Sequence, residues 1–196
     1  MTANSESENL VLRLWFITHR TRDALRSCED NVFGKYGLTA EQYAVLAVMK
    51  LLDGPVRVTD LARGLERSTN SVSMIVDRMV KAGLVRRIRD KGDRRVVHVI
   101  ITSKGENAFK PATVAGFEFI QEIMSPLSHE DRRTFVSLHE LVKYRALKYL
   151  NPKVDIEEMR RNDITNQPNL MKRLRQHIST STLEAKRQGR EKRKTI

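Results

Sequence analysis

A mainly α-helical fold carrying one small β-hairpin is what these 196 residues predict. Two observations carry that expectation. Through most of residues 10–150 the apolar positions recur every three or four residues, the period of a helix that buries one face. Only between residues 84 and 102 does the spacing drop to two, where "LVRRIR" and "VVHVIIT" flank the turn "DKGDRR". The length suits one domain of ordinary size, alone or with an appendage. A hydrophobic content of 40% supports a core despite a mean hydropathy of -0.47.

Six helices and a two-stranded wing follow from the pattern. Residues 10–35 place Leu10, Leu14, Ile17, Thr21, Ala24 and Leu25 on one helical face. Trp15 and Phe16 make this helix more apolar than a solitary surface helix, which points to contact with another subunit. After "GKYG", Thr39 and Gln42 have the spacing of a capping box, and Leu38 with Tyr43 that of a hydrophobic staple. Val45, Leu46, Met49 and Leu52 continue the buried face until "DGP" ends it. A short extended "VRV" follows. "TDLARGLERSTNSVSMIVDRMVKAG" then reads as two helices joined by a tight turn. Thr59 is the expected cap of the first, which buries Leu61, Ala62 and Leu65. Ser68 caps the second, which buries Val72, Ile75, Val76, Met79 and Val80, and Gly83 is placed to end it. Beyond the hairpin, Ser103 and Glu106 predict another capping box, opening a helix with Phe109, Ala112, Phe119, Ile120 and Ile123. Pro111 inside it predicts a kink. Ser128 caps the last helix, along which lie Phe135, Leu138, Leu141, Val142 and Leu147.

The composition changes after Leu150. Residues 151–196 hold 12 Lys/Arg against 6 Asp/Glu. "EAKRQGREKRKTI" is low in apolar residues and reads as a mobile basic arm. Leu170, Met171, Leu174 and Ile178 offer the rival pattern, two turns of amphipathic helix packed on the rest.

The net charge of +12 and a pI near 10.1 point to an anionic partner, nucleic acid or a membrane surface. No apolar run approaches the roughly 20 residues of a membrane span. The acidic start "MTANSESEN" lacks the positive region of a signal peptide. A single cysteine, Cys28, precludes an internal disulfide framework and fits a reducing compartment. A cytoplasmic location without a membrane partner is therefore expected. His19, His98, His129, His139 and His177 form no HExxH and no zinc spacing with the cysteine. There is no GxSxG, P-loop or GxGxxG. Neither catalysis, nor a metal site, nor a cofactor is predicted.

A helix, a tight turn, a second helix and a basic hairpin together make the winged helix-turn-helix plan, a DNA-binding arrangement. Once the apolar stripe of residues 68–82 is buried, Asn70, Ser73, Met74, Asp77, Arg78 and Lys81 face outward. Ser68, Thr69, Asn70 and Ser71 near the helix start are small polar groups suited to base edges. The helix N-terminus adds partial positive charge beside phosphate. Arg78 and Lys81 lie further along, placed for phosphates. On the hairpin, Arg89, Lys91, Arg94 and Arg95 suit phosphates and a narrow minor groove. Gly92 is expected to let the tip turn, and Asp93 to orient a neighbouring guanidinium by a bidentate pair.

"LTAEQYAVLAVM", "VTDLARGLERSTNSVSMIVDRMVKAGLVRR" and "DKGDRRVVHVIITSKG" resemble the MarR family of bacterial and archaeal transcription regulators, over about residues 10–150. The resemblance implies a homodimer whose first and last helices form the dimerisation region. It divides the chain into an N-terminal dimerisation helix (1–37), the winged helix-turn-helix (38–102), C-terminal dimerisation helices (103–150) and the basic extension (151–196). It implies that two winged domains read double-stranded DNA at a pseudo-palindrome. It implies repression by promoter occlusion, relieved by a small aromatic ligand or by cysteine oxidation. In the wing it implies that Asp93 pairs internally while Arg95 enters the minor groove. Trp15, Phe16, Phe33, Tyr36 and Tyr43 are candidates for a ligand pocket, or simply core. Cys28 lies late in the first helix, either a redox sensor or a small buried hydrophobe. An architectural or RNA-binding winged helix, and one used for protein contact, stay open as alternatives.

Overall fold

The computed structural model describes residues 3–90, 92–161, 163–165, 168, 171–173, 175–176 and 178–180. Their elements are α1 (Ala3–Gly34), α2 (Ala40–Leu52), α3 (Val58–Gly64), α4 (Thr69–Lys81), β1 (Val85–Arg89), β2 (Val97–Ile101), α5 (Ser103–Met124) and α6 (His129–Leu150). They divide into two compact units, Met1–Gly116 and Phe117–Ile196.

The first unit is built around α2 and α4. Val45, Leu46, Leu61, Val72, Val76, Met79, Val85, Val99 and Phe109 are buried together in one cluster. Thr39 caps α2 as its spacing predicts. Its hydroxyl accepts the Gln42 N–H, and the Gln42 side chain accepts the Thr39 N–H at 3.0 Å. Leu52 departs from the expected buried face and is 45% exposed, since the helix ends there at Asp53. In "VRV" only Val56 is strand-like, exchanging backbone bonds with Val99. Val58 already belongs to α3, so Thr59 falls inside the first turn and does not cap. Arg57 is the cap instead, its backbone N–H donating to the Asp60 carboxylate at 3.3 Å.

α4 ends as expected at Gly83, with φ of 72°. The Gly83 N–H bonds Val80 and the Leu84 N–H bonds Met79, the pairing of a Schellman motif. This turn feeds β1 directly. β1 and β2 pair antiparallel, from Val85 opposite Ile101 to Arg89 opposite Val97. The expected capping box of Ser103 and Glu106 does not form. Thr102 sits one residue earlier, accepts the Gly105 N–H at 3.1 Å and donates to Gly83 O at 2.6 Å. Glu106 instead pairs with Lys50 at 2.5 Å. α5 runs through Pro111 as one continuous helix.

Much of α1 is uncovered within the chain: Leu10, Leu14, Trp15, Phe16 and Ile17 are all more than half exposed. Cys28 is exposed as well, not buried.

In the second unit, Ser128 caps α6 in a box with Asp131. Along α6, Leu138, Leu141 and Val142 are exposed, and Tyr144 is the buried residue. The extension does not leave the fold at residue 150. Lys148 Nζ donates to Val154 O at 3.1 Å, and the Tyr144 hydroxyl donates to Asp163 Oδ2 at 2.6 Å. Arg160 lies over the Tyr144 ring at 5.4 Å. Burial, then the Asp163 carboxylate, push the Tyr144 hydroxyl up to about 12. The polar end of Tyr144 supplies the anchor, although the apolar pattern drew attention to residues 170–178. Leu170, Leu174 and residues 181–196 lie outside the described residues.

Candidate nucleic-acid interface

α4 starts at a serine because Ser68, in an extended conformation, accepts the Ser71 N–H at 3.3 Å. Its buried residues Val72, Ile75, Val76 and Met79 occupy one stripe. The rest of the helix follows from that stripe. Thr69, Asn70, Met74, Arg78 and Lys81 are exposed, while Ser71, Ser73 and Asp77 are half-buried. Met74 is 66% exposed, an apolar side chain outside the core of the unit.

The turn before α4 is tight because Glu66 adopts φ of 52°, the left-handed region where glycine is usual. The Arg67 N–H then bonds Ala62 O, and the Glu66 N–H bonds Arg63 O. Arg67 is thereby aimed at α2, where its Nη1 meets Glu41 Oε1 at 2.9 Å. Arg78 approaches the other oxygen of Glu41 at 3.5 Å. Asp77 is tied to Arg87 of β1 at 2.5 Å, which joins α4 to the wing.

Two aspartates organise the wing tip. Asp90 Oδ1 accepts the N–H groups of Gly92 and Asp93 at 2.7 and 3.1 Å, and Asp90 Oδ2 meets His98 Nε2 at 3.2 Å. The two backbone donors, Asp93 first, hold the Asp90 carboxyl below its ordinary value. Asp93 Oδ1 accepts the backbone N–H of Arg95 at 2.9 Å, in place of the expected bidentate pair with a guanidinium. It orients Arg95 through the main chain. The Asp90 and Asp93 carboxylates together accept three backbone N–H groups of this turn. Arg89, Arg94 and Arg95 are exposed, and Lys91 lies outside the described residues. The result is a hydrogen-bonded tip presenting guanidinium groups, on the same unit as a helix presenting hydroxyls, an amide and Met74.

The five candidate pocket aromatics do not converge. Phe33 and Tyr43 stack at 4.0 Å, and Tyr43 and Phe109 at 5.3 Å. Burial pushes the Tyr43 hydroxyl up. Tyr36 packs against the same cluster. Trp15 and Phe16 stand about 25 Å away along α1 by the rise of 1.5 Å per residue, with Trp15 against His19. Phe33 is core, and Tyr36 and Tyr43 are partly buried against it.

The reading from sequence missed Asp90, His98, Glu41 and Arg87, and it placed Asp77 on the outward face of α4 without its Arg87 partner. Asp90 had a signal, an Asx-turn spacing in "DKGD". The others depend on contacts between elements and had none.

A helix, a tight turn, an exposed polar second helix and an arginine-bearing hairpin define a winged helix-turn-helix protein. The description "MarR family" matches residues 36–96. The chain is 33% identical over 103 residues to the HTH-type transcriptional regulator MgrA of Staphylococcus aureus, covering 52% of this chain and 69% of that protein. It is 29% identical over 105 residues to the HTH-type transcriptional regulator PecS of Dickeya dadantii, covering 53% of this chain but only 63% of PecS. A solved structure of the organohalide-sensing regulator RdhR, bound to 2,4-dichlorophenol, superposes with a TM-score of 0.68 at 22% identity, over 74% of this chain and 85% of that one. The MepR–DNA complex of S. aureus superposes with a TM-score of 0.60 at 21% identity, over 65% and 94%. This chain belongs to the MarR family. The relatives carry the names of transcriptional regulators, not enzymes. No helix among the described residues is long and apolar enough to cross a membrane.

Proposed function

We propose that this chain is a cytoplasmic, homodimeric repressor that reads a pseudo-palindromic DNA site with α4 and the wing and answers to a small aromatic ligand. One observation carries the DNA reading: the exposed start of α4 and the arginines of the wing tip stand on one unit, joined by the Asp77–Arg87 pair. Ser68, Thr69, Asn70, Ser71, Ser73 and Met74 supply the groups for base edges, with Asn70 suited to adenine and Met74 to a thymine methyl. Arg78, Arg89, Lys91 and Arg94 supply phosphate contacts. Arg95 enters the minor groove, held by Asp93. The fold likeness to a DNA-bound regulator and to a dichlorophenol-bound one is in keeping with both partners. The uncovered apolar faces of α1 and α6 support the dimer.

Footprinting on the DNA upstream of its own coding region tests this. A short protected palindrome is expected; protection of long tracts would indicate an architectural protein, and no protection a protein adaptor. On the protected site, Arg95→Ala should cost about 1–3 kcal/mol of affinity with an unchanged circular dichroism spectrum. Asp93→Ala should also weaken binding although it raises the positive charge. Binding within twofold of wild type for both variants would remove the wing from the reading.

A further inference from the structure

Glu41, in the first turn of α2, gathers arginines from three directions. Arg26 of α1 reaches its Oε1 at 3.2 Å, and Arg67 of the turn before α4 reaches the same oxygen at 2.9 Å. Arg78 of α4 approaches Oε2 at 3.5 Å. The Glu41 side chain is only 27% exposed, whereas that of Arg78 is 64% exposed. The hydrogen bond from Arg67 is the largest influence holding the Glu41 carboxyl below its ordinary value. The chain of contacts continues backwards. Arg26 also lies 3.5 Å from Asp30, and Asp30 accepts the Ala40 N–H at 2.7 Å, at the start of α2. One carboxylate thus links α1, α2, the turn and α4 within a single unit.

We propose that Glu41 is a positioning residue that sets DNA specificity by restraining Arg67 and Arg78 before DNA arrives. The proposal rests on the reading of α4 as the DNA-facing helix. An unrestrained arginine can follow any phosphate, because phosphates carry no sequence information. A restrained one forfeits less side-chain freedom when it contacts DNA in its held position. Its paired charge also adds less to sequence-independent attraction. Glu41 therefore works against random DNA more than against the matching site. Simple charge arithmetic distinguishes itself here. Removing one negative charge strengthens binding to both kinds of DNA alike, whereas loss of restraint narrows the gap between them.

The test uses the full chain and two duplexes: a site that the wild type selects from a random library, and one of scrambled sequence. Titrations at several salt concentrations give affinity and salt slope for each. For Glu41→Gln, the ratio of selected to scrambled affinity should fall about tenfold. The salt slope on scrambled DNA should steepen by about 1–2 per protomer, one or two freed arginines at roughly 0.9 per phosphate. Adding Arg67→Met and Arg78→Met to Glu41→Gln should return that slope towards the wild-type value. If Glu41→Gln melts below the assay temperature, Glu41→Asp keeps the charge, withdraws it by one methylene, and should shift the ratio in the same direction. An unchanged ratio and slope in a variant that still folds would overturn the proposal and leave Glu41 as a brace. Failure of the wild type to select any site is a different outcome: it would overturn the DNA reading itself, before any variant is compared.

Discussion

At the scale of single residues, the wing tip turns on Asp90. Its carboxylate accepts two backbone N–H groups of the tip and meets His98 near the start of β2. Because those donors favour the charged form, its folded pKa lies below the ordinary 3.8. A carboxylate lowered in this way contributes order that is complete above the unfolded value and lost as pH falls through the folded one. The tip should therefore be fully held at neutral pH and loosen only in acid below about pH 4. Carboxyl NMR titration should give Asp90 a midpoint below 3.8. In Asp90→Asn, the Gly92 and Asp93 amides should exchange faster at neutral pH. A midpoint at or above the ordinary value, or unchanged exchange, would count against this account. Asp93 and Arg95 were legible in the sequence as tip residues. A tie from Asp93 to a neighbouring arginine was legible too, but not that it runs to the backbone N–H of Arg95 instead of a guanidinium.

At the scale of elements, two glycines fit α4, the hairpin and α5 together for different reasons. Gly83 supplies a left-handed φ of 72°, and a Cβ there would meet only the Lys104 side chain at 3.8 Å. Gly105 supplies space: a Cβ there would stand 2.2 Å from Leu84 O, a backbone atom that cannot swing away. Gly83→Ala should thus cost about 1–2 kcal/mol of backbone strain. Gly105→Ala should cost more, about 2–3 kcal/mol, because α5 must shift off the start of β1. Urea melts of the two variants would rank them, and the reverse order would contradict this assignment. Gly83 was readable because it follows a strong periodic run. Gly105 resembled any residue in a first turn, since close approach of a neighbouring element has no local signature. The caps behaved likewise: Thr39, Ser68 and Ser128 were legible, whereas Arg57 and Thr102 displaced Thr59 and Ser103 by shifting a helix start by one or two residues.

At the scale of the whole molecule, the largest unresolved demand is the apolar surface the single chain leaves in water. Trp15 and Phe16 of α1 are 63% and 64% exposed, and Leu138 and Leu141 of α6 are 56% and 60% exposed. Such faces match the expected partner, a second copy of the chain. Replacing Leu138 and Leu141 together by Asp should yield monomer or aggregate in sedimentation velocity and abolish binding to the footprinted site. A wild-type chain that sediments as a well-folded monomer would refute the dimer.

The sequence by itself determined the order of elements, the buried stripe of α4 and the basic hairpin. Each rests on local periodicity, capping or charge that neighbouring residues carry between them. It also carried enough of the "MarR family" pattern for the family to be read directly from the residues. Tertiary structure alone decided which charges are held and which are presented. Asp77 with Arg87, and Glu41 with Arg26, Arg67 and Arg78, meet across elements separated by up to 37 positions. It also decided that Phe33 and Tyr43 stack at the core while Trp15 and Phe16 stay exposed, and that Arg160 and Asp163 lie against Tyr144. The reason is the same in each case. An ion pair or an aromatic stack depends on distance in space, and only packing converts sequence separation into distance.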